Sequence, residues 1–242
     1  MSSNELSYIV FTDFDGTITR NDIGDSMFKV FGNPEKCSEA FRETRDGKIG
    51  MTESWRRSFA TVESLSPATF DSFVEWQEID AGFHRFERYC TGESIPINIV
   101  SDGFDLYIRH VLEREHLAHL PFYSNELMID AGGTLVPVFP YTDSECTMCA
   151  NCKRNHMLTK SGDESVIVYI GNGYSDRCPS RYADVVFAKG SLLTYCEREN
   201  ITCHRFETFD DVLSRFREMV EEKHPRKRRT AELARKEIFM RG

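Results

Sequence analysis

Apolar and polar positions change rhythm along the chain, and each change marks an element. Residues 8–14 form a short aromatic and β-branched run broken by Asp15-Gly16-Thr17, which predicts a buried strand ending in a tight turn. Between residues 25 and 76 the period becomes helical. Met27, Phe28, Val30 and Phe31 share a face that stops at Gly32-Asn33-Pro34, and residues 54–62 and 70–76 read as further helices. Ser66 is placed as an N-cap and Pro67 as a first helical residue. After a helix at 83–89, a β-rich run at 95–100 ends at Ser101-Asp102-Gly103, and a helix at 106–115 follows. Residues 122–129 and 135–139 flank Asp130-Ala131-Gly132-Gly133, a predicted β-hairpin. A cysteine-rich loop then leads to a helix near Lys153. Strands at 166–170, ending in Gly171-Asn172-Gly173, and at 184–188 precede helices at 192–199 and 209–220.

Strands alternating with helices predict an α/β fold: a Rossmann-like parallel sheet with crossover helices plus a small inserted helical cap. The expected organisation is a core at 1–20 and 90–222, a cap at 21–89 and a basic tail at 223–242. Length and composition agree, with 242 residues, 40% hydrophobic and 29% charged, enough for a packed core and unlike a disordered chain. No apolar run reaches the ~18 residues of a membrane span, and the opening residues do not resemble a signal peptide. A cytoplasmic protein is the expectation, and its eight cysteines then read as reduced thiols or metal ligands. The net charge of −9 is uneven, because residues 223–242 hold eight Lys/Arg against two Glu. So acidic a body argues against nucleic acid as a partner, and no membrane partner is expected. The tail reads as a frayed, solvated helix.

In a parallel sheet, ligands bind beyond the carboxyl ends of strands. Three buried strands here end in polar glycine turns: Asp13-Phe14-Asp15-Gly16-Thr17, Ser101-Asp102-Gly103 and Gly171-Asn172-Gly173-Tyr174-Ser175-Asp176. Asp13 and Asp15, at i and i+2, point the same way, a costly arrangement unless a cation or proton compensates. It suits a Mg²⁺ site with a nucleophile; the alternative is a plain solvated Asp-Gly turn.

Asp13-Phe14-Asp15-Gly16-Thr17-Ile18-Thr19 resembles the nucleophile motif of the haloacid dehalogenase-like phosphatases. Ile99 to Phe104 is similar to their second motif, Lys153 falls where the third belongs, and Gly171 to Asp176 is similar to the fourth, in order over residues 8 to about 220. The helical insert resembles that of the small-cap, phosphoserine phosphatase-like subgroup. Asn151 to His156, Tyr174 to Pro179 and Asp184 to Lys189 look most like the branch holding the methionine-salvage enolase-phosphate phosphatase and the phosphocholine/phosphoethanolamine phosphatases.

The resemblance implies a Mg²⁺-dependent hydrolase of a small phosphorylated metabolite that works through an aspartyl-phosphate, as a monomer or homodimer. Asp13 would be the nucleophile, Asp15 the acid and base, and Lys153 the cation neutralising the transferring group. Ser101, Asp102 and Gly103 would bind the phosphate. The metal would take Asp13, the Asp15 carbonyl and either Asn172 or Asp176. Asn172 departs from the family pattern, which has Asp there, and this weakens the expected Mg²⁺ site. A phosphotransferase using the same intermediate, or a catalytically weakened binding protein, remains the alternative.

Cys146, Cys149, Cys152 and His156 are spaced to complete a tetrahedral structural Zn²⁺ site, though cramped, and metal-free thiols are the alternative. In the cap, Asp22 and Arg56 are candidate substrate contacts, with a solvated helix face as the alternative for Arg56.

Overall fold

The computed structural model describes residues 6–144, 146 and 148–241. In chain order the elements are β1 (Ser7–Thr12), α1 (Ile23–Phe31), α2 (Pro34–Arg45), α3 (Met51–Phe59), α4 (Pro67–Glu75), α5 (Gly82–Gly92), β2 (Ile97–Phe104) and α6 (Asp105–Arg114). There follow β3 (Phe122–Ile129), β4 (Leu135–Val138), α7 (Lys153–Lys160), β5 (Ser165–Gly171), α8 (Arg177–Ser180), β6 (Val185–Ala188), α9 (Gly190–Arg198), β7 (His204–Arg205), α10 (Phe209–Glu221) and α11 (Arg229–Arg241). The seven strands hydrogen-bond in the order β4-β3-β2-β1-β5-β6-β7. This is the expected α/β architecture, and no described helix is long and apolar enough to cross a membrane.

The chain packs as two compact units. The first comprises Met1–Ile18, Ile79–Val100 and Lys153–Gly242; the second comprises Thr19–Glu78 and Ser101–Cys152. In the first, β1 runs parallel between β2 and β5, pairing Thr12 with Ile99 on one side and Ile170 on the other. β6 and β7 extend the sheet in parallel. Every residue of β5 is buried, which is why that strand reads as a continuous apolar run with no alternation.

The units divide the chain at places other than the expected boundaries. Helix α5, expected in the cap, packs in the first unit against α10. Phe83 and Phe209 meet edge to face with ring centroids 4.8 Å apart, and Phe86 sits 5.4 Å from Phe209 and 5.8 Å from Phe216. Such aromatic pairs each add about 0.5–1.5 kcal/mol beyond area burial. Residues 101–152, expected in the core, belong instead with the helical insert.

The tail is a further correction. It is not frayed: Arg228 and Arg235 fasten it to residues 180–184. The Arg228 backbone N–H and Arg235 Nη2 both donate to Asp184 Oδ1, at 3.0 and 2.9 Å, and Asp184 Oδ2 accepts the Ile167 N–H at 2.9 Å. The Asp184 side chain is fully buried, and stranding a buried carboxylate without its cation costs about 3–5 kcal/mol.

In the second unit, α1, α2 and α4 start at side-chain caps from Asp22, Asn33 and Ser66, the last two followed by Pro34 and Pro67. The apolar faces of α1 and α3 meet the end of β2 at Phe28, Trp55, Phe59 and Phe104, with Phe59 and Trp55 edge-on to Phe104 at 4.9 and 5.1 Å. Strands β3 and β4 form the expected antiparallel hairpin, whose turn is tied by Asp130 Oδ1 accepting the N–H groups of Gly132 and Thr134. Arg114, at the end of α6, donates Nη1 to the carbonyls of Val74 and Glu75 at 3.0 Å each, and Nη2 to that of Gln77. One guanidinium thus closes the carboxyl end of α4.

Candidate active site

The carboxyl ends of β1 and β5 carry the candidate machinery of the first unit. Asp13 leaves β1 with its N–H bonded to the Ile170 carbonyl at 2.9 Å, so the turn begins fixed to the neighbouring strand. Gly16 then takes φ +67, and a β-carbon there would lie 2.5 Å from Asn172 Nδ2. Both the backbone angle and the close approach demand glycine. Thr17, next along, donates its hydroxyl to Asn172 Oδ1 at 2.9 Å, tying the first motif's turn to the fourth's.

Lys153, the first residue of α7, reaches between two carboxylates. Its Nζ donates to Asp13 Oδ1 and to Asp176 Oδ1, each at 2.7 Å, with all three side chains almost wholly buried. Asp13 Oδ1 also accepts the Phe14 N–H at 2.8 Å, whereas no described residue donates to Oδ2. Asp176 is saturated. Oδ1 accepts from Lys153 and from the Tyr169 hydroxyl at 2.6 Å, and Oδ2 accepts the N–H groups of Asn172 and Gly173 at 2.8 Å each. Four donors fill the acceptor sites a carboxylate has.

The two acids consequently diverge. Burial, then the charge of Asp176, pushes the Asp13 carboxyl well above the usual range, and Lys153 only partly offsets this. Burial also pushes Asp176 up, but Lys153, Tyr169 and the Gly173 N–H outweigh it and hold this carboxyl low. Burial lowers Lys153, yet Asp13 and Asp176 together raise it above an ordinary ammonium. Burial, then Asp176 and Asp13, lifts the Tyr169 phenol well above its ordinary value. One ammonium shared by two buried carboxylates thus meets two acids whose proton preferences are already separated.

The oxygen chemistry fits a hard cation. Two buried carboxylates face one ammonium, and Asp13, the Asp15 carbonyl and the Asn172 amide are all oxygen donors. Asp176 fits less well as a direct ligand, because its oxygens are already occupied. Among the described residues no three His, Cys, Asp or Glu are grouped as a metal site, so most of the remaining donors would have to be amide and backbone oxygens.

In the second unit, Ser101, Asp102 and Gly103 stand on the carboxyl half of β2. The Gly103 N–H is spent on Ser101 Oγ at 2.9 Å. Asp102 Oδ1 accepts the N–H groups of Ala150 and Asn151, at 3.1 and 2.8 Å, and Asn151 Nδ2 donates to the carbonyls of Ser101 and Tyr123. The Asp102 carboxylate therefore shapes the segment that leads into Lys153. Asp22 caps α1, its side chain accepting the Asp25 N–H at 2.8 Å, and the exposed Arg56 guanidinium lies 5.2 Å from the Phe139 ring centre.

The zinc expectation is not met by the described residues, which hold no such grouping of Cys146, Cys149, Cys152 and His156. The Cys152 thiol turns toward Asp143 Oδ2 at 3.9 Å, with its N–H on the Tyr141 carbonyl. His156 stands on α7, where burial and then Lys160 lower its pKa to about 4. Close spacing in sequence alone put the four together. Sequence reasoning missed Tyr169 and Thr17. Tyr169 is hidden in an apolar strand and Thr17 inside a turn already explained by its glycine, so neither gave a separate signal.

Known proteins resemble this chain in sequence and in fold. The family model described as Putative Phosphatase covers residues 8–200. The 2-hydroxy-3-keto-5-methylthiopentenyl-1-phosphate phosphatase of Bacillus mycoides (strain KBAB4) is 31% identical over 222 residues, covering 90% of this chain and 100% of its own. A polyol phosphate phosphatase of Saccharomyces cerevisiae is 28% identical over 229 residues, covering 88% and 93%. Among solved structures, a phosphoserine phosphatase captured as a phospho-aspartyl intermediate analogue superposes with a TM-score of 0.64 at 18% identity, covering 86% of this chain and 97% of its own.

Proposed function

The chain belongs to the Putative Phosphatase family of haloacid dehalogenase-like enzymes, and from that premise we propose that it hydrolyses a small phosphorylated metabolite by passing the phosphoryl group through Asp13. The observation that carries this reading is Lys153 bridging Asp13 and Asp176 at 2.7 Å each. That bridge pins one oxygen of Asp13 and leaves Oδ2 with no described hydrogen-bond donor, the condition a nucleophilic oxygen needs. The names of the Bacillus and yeast relatives support the substrate class.

In the proposed chemistry Asp13 Oδ2 forms a bond to phosphorus as the ester P–O bond breaks. The leaving oxygen takes that electron pair and a proton from Asp15. Water then attacks the same phosphorus and gives a proton back to Asp15, while the bond to Asp13 breaks and inorganic phosphate departs. Lys153 holds its positive charge beside the group, kept protonated by Asp13 and Asp176 before attack and by Asp176 and the phosphoryl oxygens once Asp13 is esterified. Asp13, the Asp15 carbonyl and Asn172 would hold Mg²⁺, which when bound neutralises charge on the phosphoryl oxygens.

Turnover of para-nitrophenyl phosphate with Mg²⁺, followed by mass spectrometry of acid-quenched enzyme, tests the proposal. A phosphoryl adduct on the peptide containing Asp13 is the expected result. Absence of turnover, or an adduct confined to another residue, overturns it.

A further inference from the structure

The C-terminal helix lies beyond the segment matched by the family and takes no part in the chemistry above. It is nonetheless fastened to the turn that carries Asp176. Arg228 Nη2 donates to the carbonyls of Ser180 and Arg181 at 2.7 and 3.0 Å, and Arg235 Nη1 donates to that of Tyr182. These are the carbonyls at and just past the end of α8, the groups a helix terminus leaves without internal partners. From the same helical turn, the Ser180 N–H donates to the Asp176 carbonyl at 3.1 Å, and Ser180 Oγ donates to the Arg177 carbonyl at 2.9 Å. The Asp176 side chain, in turn, holds Lys153, Tyr169 and the N–H groups of Asn172 and Gly173. A hydrogen-bonded path of three residues thus runs from Arg228 through Ser180 to Asp176.

The far end of the strap is anchored independently. Asp184 exchanges backbone and side-chain hydrogen bonds with Ile167, near the start of β5, and gathers the Arg228 N–H and Arg235 Nη2 on a single oxygen. Ala231, one turn into α11, is fully buried, so the helix is seated by packing as well as by charge. The α8 segment has only four residues and cannot hold its own shape: so short a helix leaves most of its carbonyls unpaired.

We infer that the C-terminal segment from Arg228 to Arg235 is a positioning strap that sets the geometry of the Asp176 turn, with Arg228 and Arg235 as positioning residues. The inference rests on the proposed phosphatase reading of Asp13, Lys153 and Asp176. A strap that only adds stability would, when weakened, loosen the whole first unit together. A strap that positions the turn would loosen residues 171–181 selectively and slow the chemical step while leaving substrate binding nearly intact.

Arg228→Met removes the two donors to α8 while keeping an unbranched apolar stem. Hydrogen exchange of the intact protein, read by mass spectrometry, should show at least tenfold faster exchange in peptides covering 171–181, with β1 and β2 within twofold of wild type. With para-nitrophenyl phosphate, kcat should fall about tenfold and KM should change less than twofold. Arg228→Lys, which retains a single cationic donor nitrogen in place of the planar fork, should recover part of both effects. Should Arg228→Met fail to fold, Arg235→Lys, which keeps a cation for Asp184 but loses the second donor, is read in the same way. Exchange and kcat both at wild-type level overturn the inference. So does acceleration spread evenly over β1 and β5 with kcat following only the folded fraction. A wild-type protein without turnover overturns the phosphatase reading instead, and the exchange pattern then decides the strap alone.

Discussion

The Thr17 hydroxyl donates to Asn172 Oδ1 at 2.9 Å, and the Asn172 amide nitrogen packs against the only kind of residue that leaves room for it, Gly16. Residue 172 is thereby oriented by two residues of the turn that follows Asp13. The side chain is held in place but carries no charge, so orientation and electrostatics are separable at this position.

Asn172→Asp tests the second of these. The new carboxylate accepts the same Thr17 bond and adds a negative charge beside the proposed cation site. Mg²⁺ affinity by isothermal titration calorimetry should rise about tenfold or more, corresponding to at least about 1.4 kcal/mol. Crowding with Asp13 and Asp176 opposes this and limits the gain. Superimposable titrations would remove residue 172 from the metal site.

Asp13→Asn should abolish turnover and at the same time stabilise the protein at neutral pH. Burial and Asp176 raise the Asp13 carboxyl in the folded state, so the folded protein binds that proton more tightly than the unfolded chain does. Its ionisation costs stability as pH rises above the unfolded value of about 3.9, and the cost is complete once pH exceeds the folded value. Asparagine never ionises. The variant's advantage should be absent below about pH 4 and reach roughly 1–3 kcal/mol at neutral pH. Melting curves at both ends of that range check the sign, and an advantage that is larger in acid would contradict it.

Tyr169→Phe deletes one of the four donors to Asp176 in a fully buried place. The loss should cost about 1–3 kcal/mol of stability, the penalty for a buried acceptor left short. It should also lower kcat severalfold, because Lys153 then shares an oxygen that has lost its second partner. Denaturant unfolding and steady-state kinetics measure the two effects. Stability and kcat both unchanged would show that the phenol is a bystander.

What the sequence could reveal follows from where each signal resides. Asp13 and Asp176 sit in glycine-bearing segments that interrupt apolar runs, so candidate chemistry announces itself there; at Ser101-Asp102-Gly103 the same signal suggested a strand end, whereas β2 continues to Phe104. Tyr169 occupies one position of a strand buried on both faces, where a tyrosine looks like any other large side chain until the residue it meets is known. The apolar stripe of α5, Phe83 and Phe86, shows that the helix packs but not that its partner is Phe209, more than a hundred residues away. The tail misled for a similar reason. Arg228 and Arg235 read as solvent-facing charge because Asp184 lies 44 and 51 residues earlier, beyond any local pattern. The cysteine loop erred the other way, since proximity in sequence suggested a ligand set that the described residues do not assemble.

Arg114 also bears on how this protein could be re-engineered. Its guanidinium belongs to the stretch after β2, yet it closes carbonyls at Val74, Glu75 and Gln77, which precede the 22-residue stretch Ile79–Val100 that belongs to the other unit. The helical insert is therefore not a cassette. A chimera that exchanges only residues 19–78 with a relative would replace those carbonyls and leave Arg114 pointing at foreign backbone. Residues 101–152 must travel with the graft for it to arrive with its own keystone.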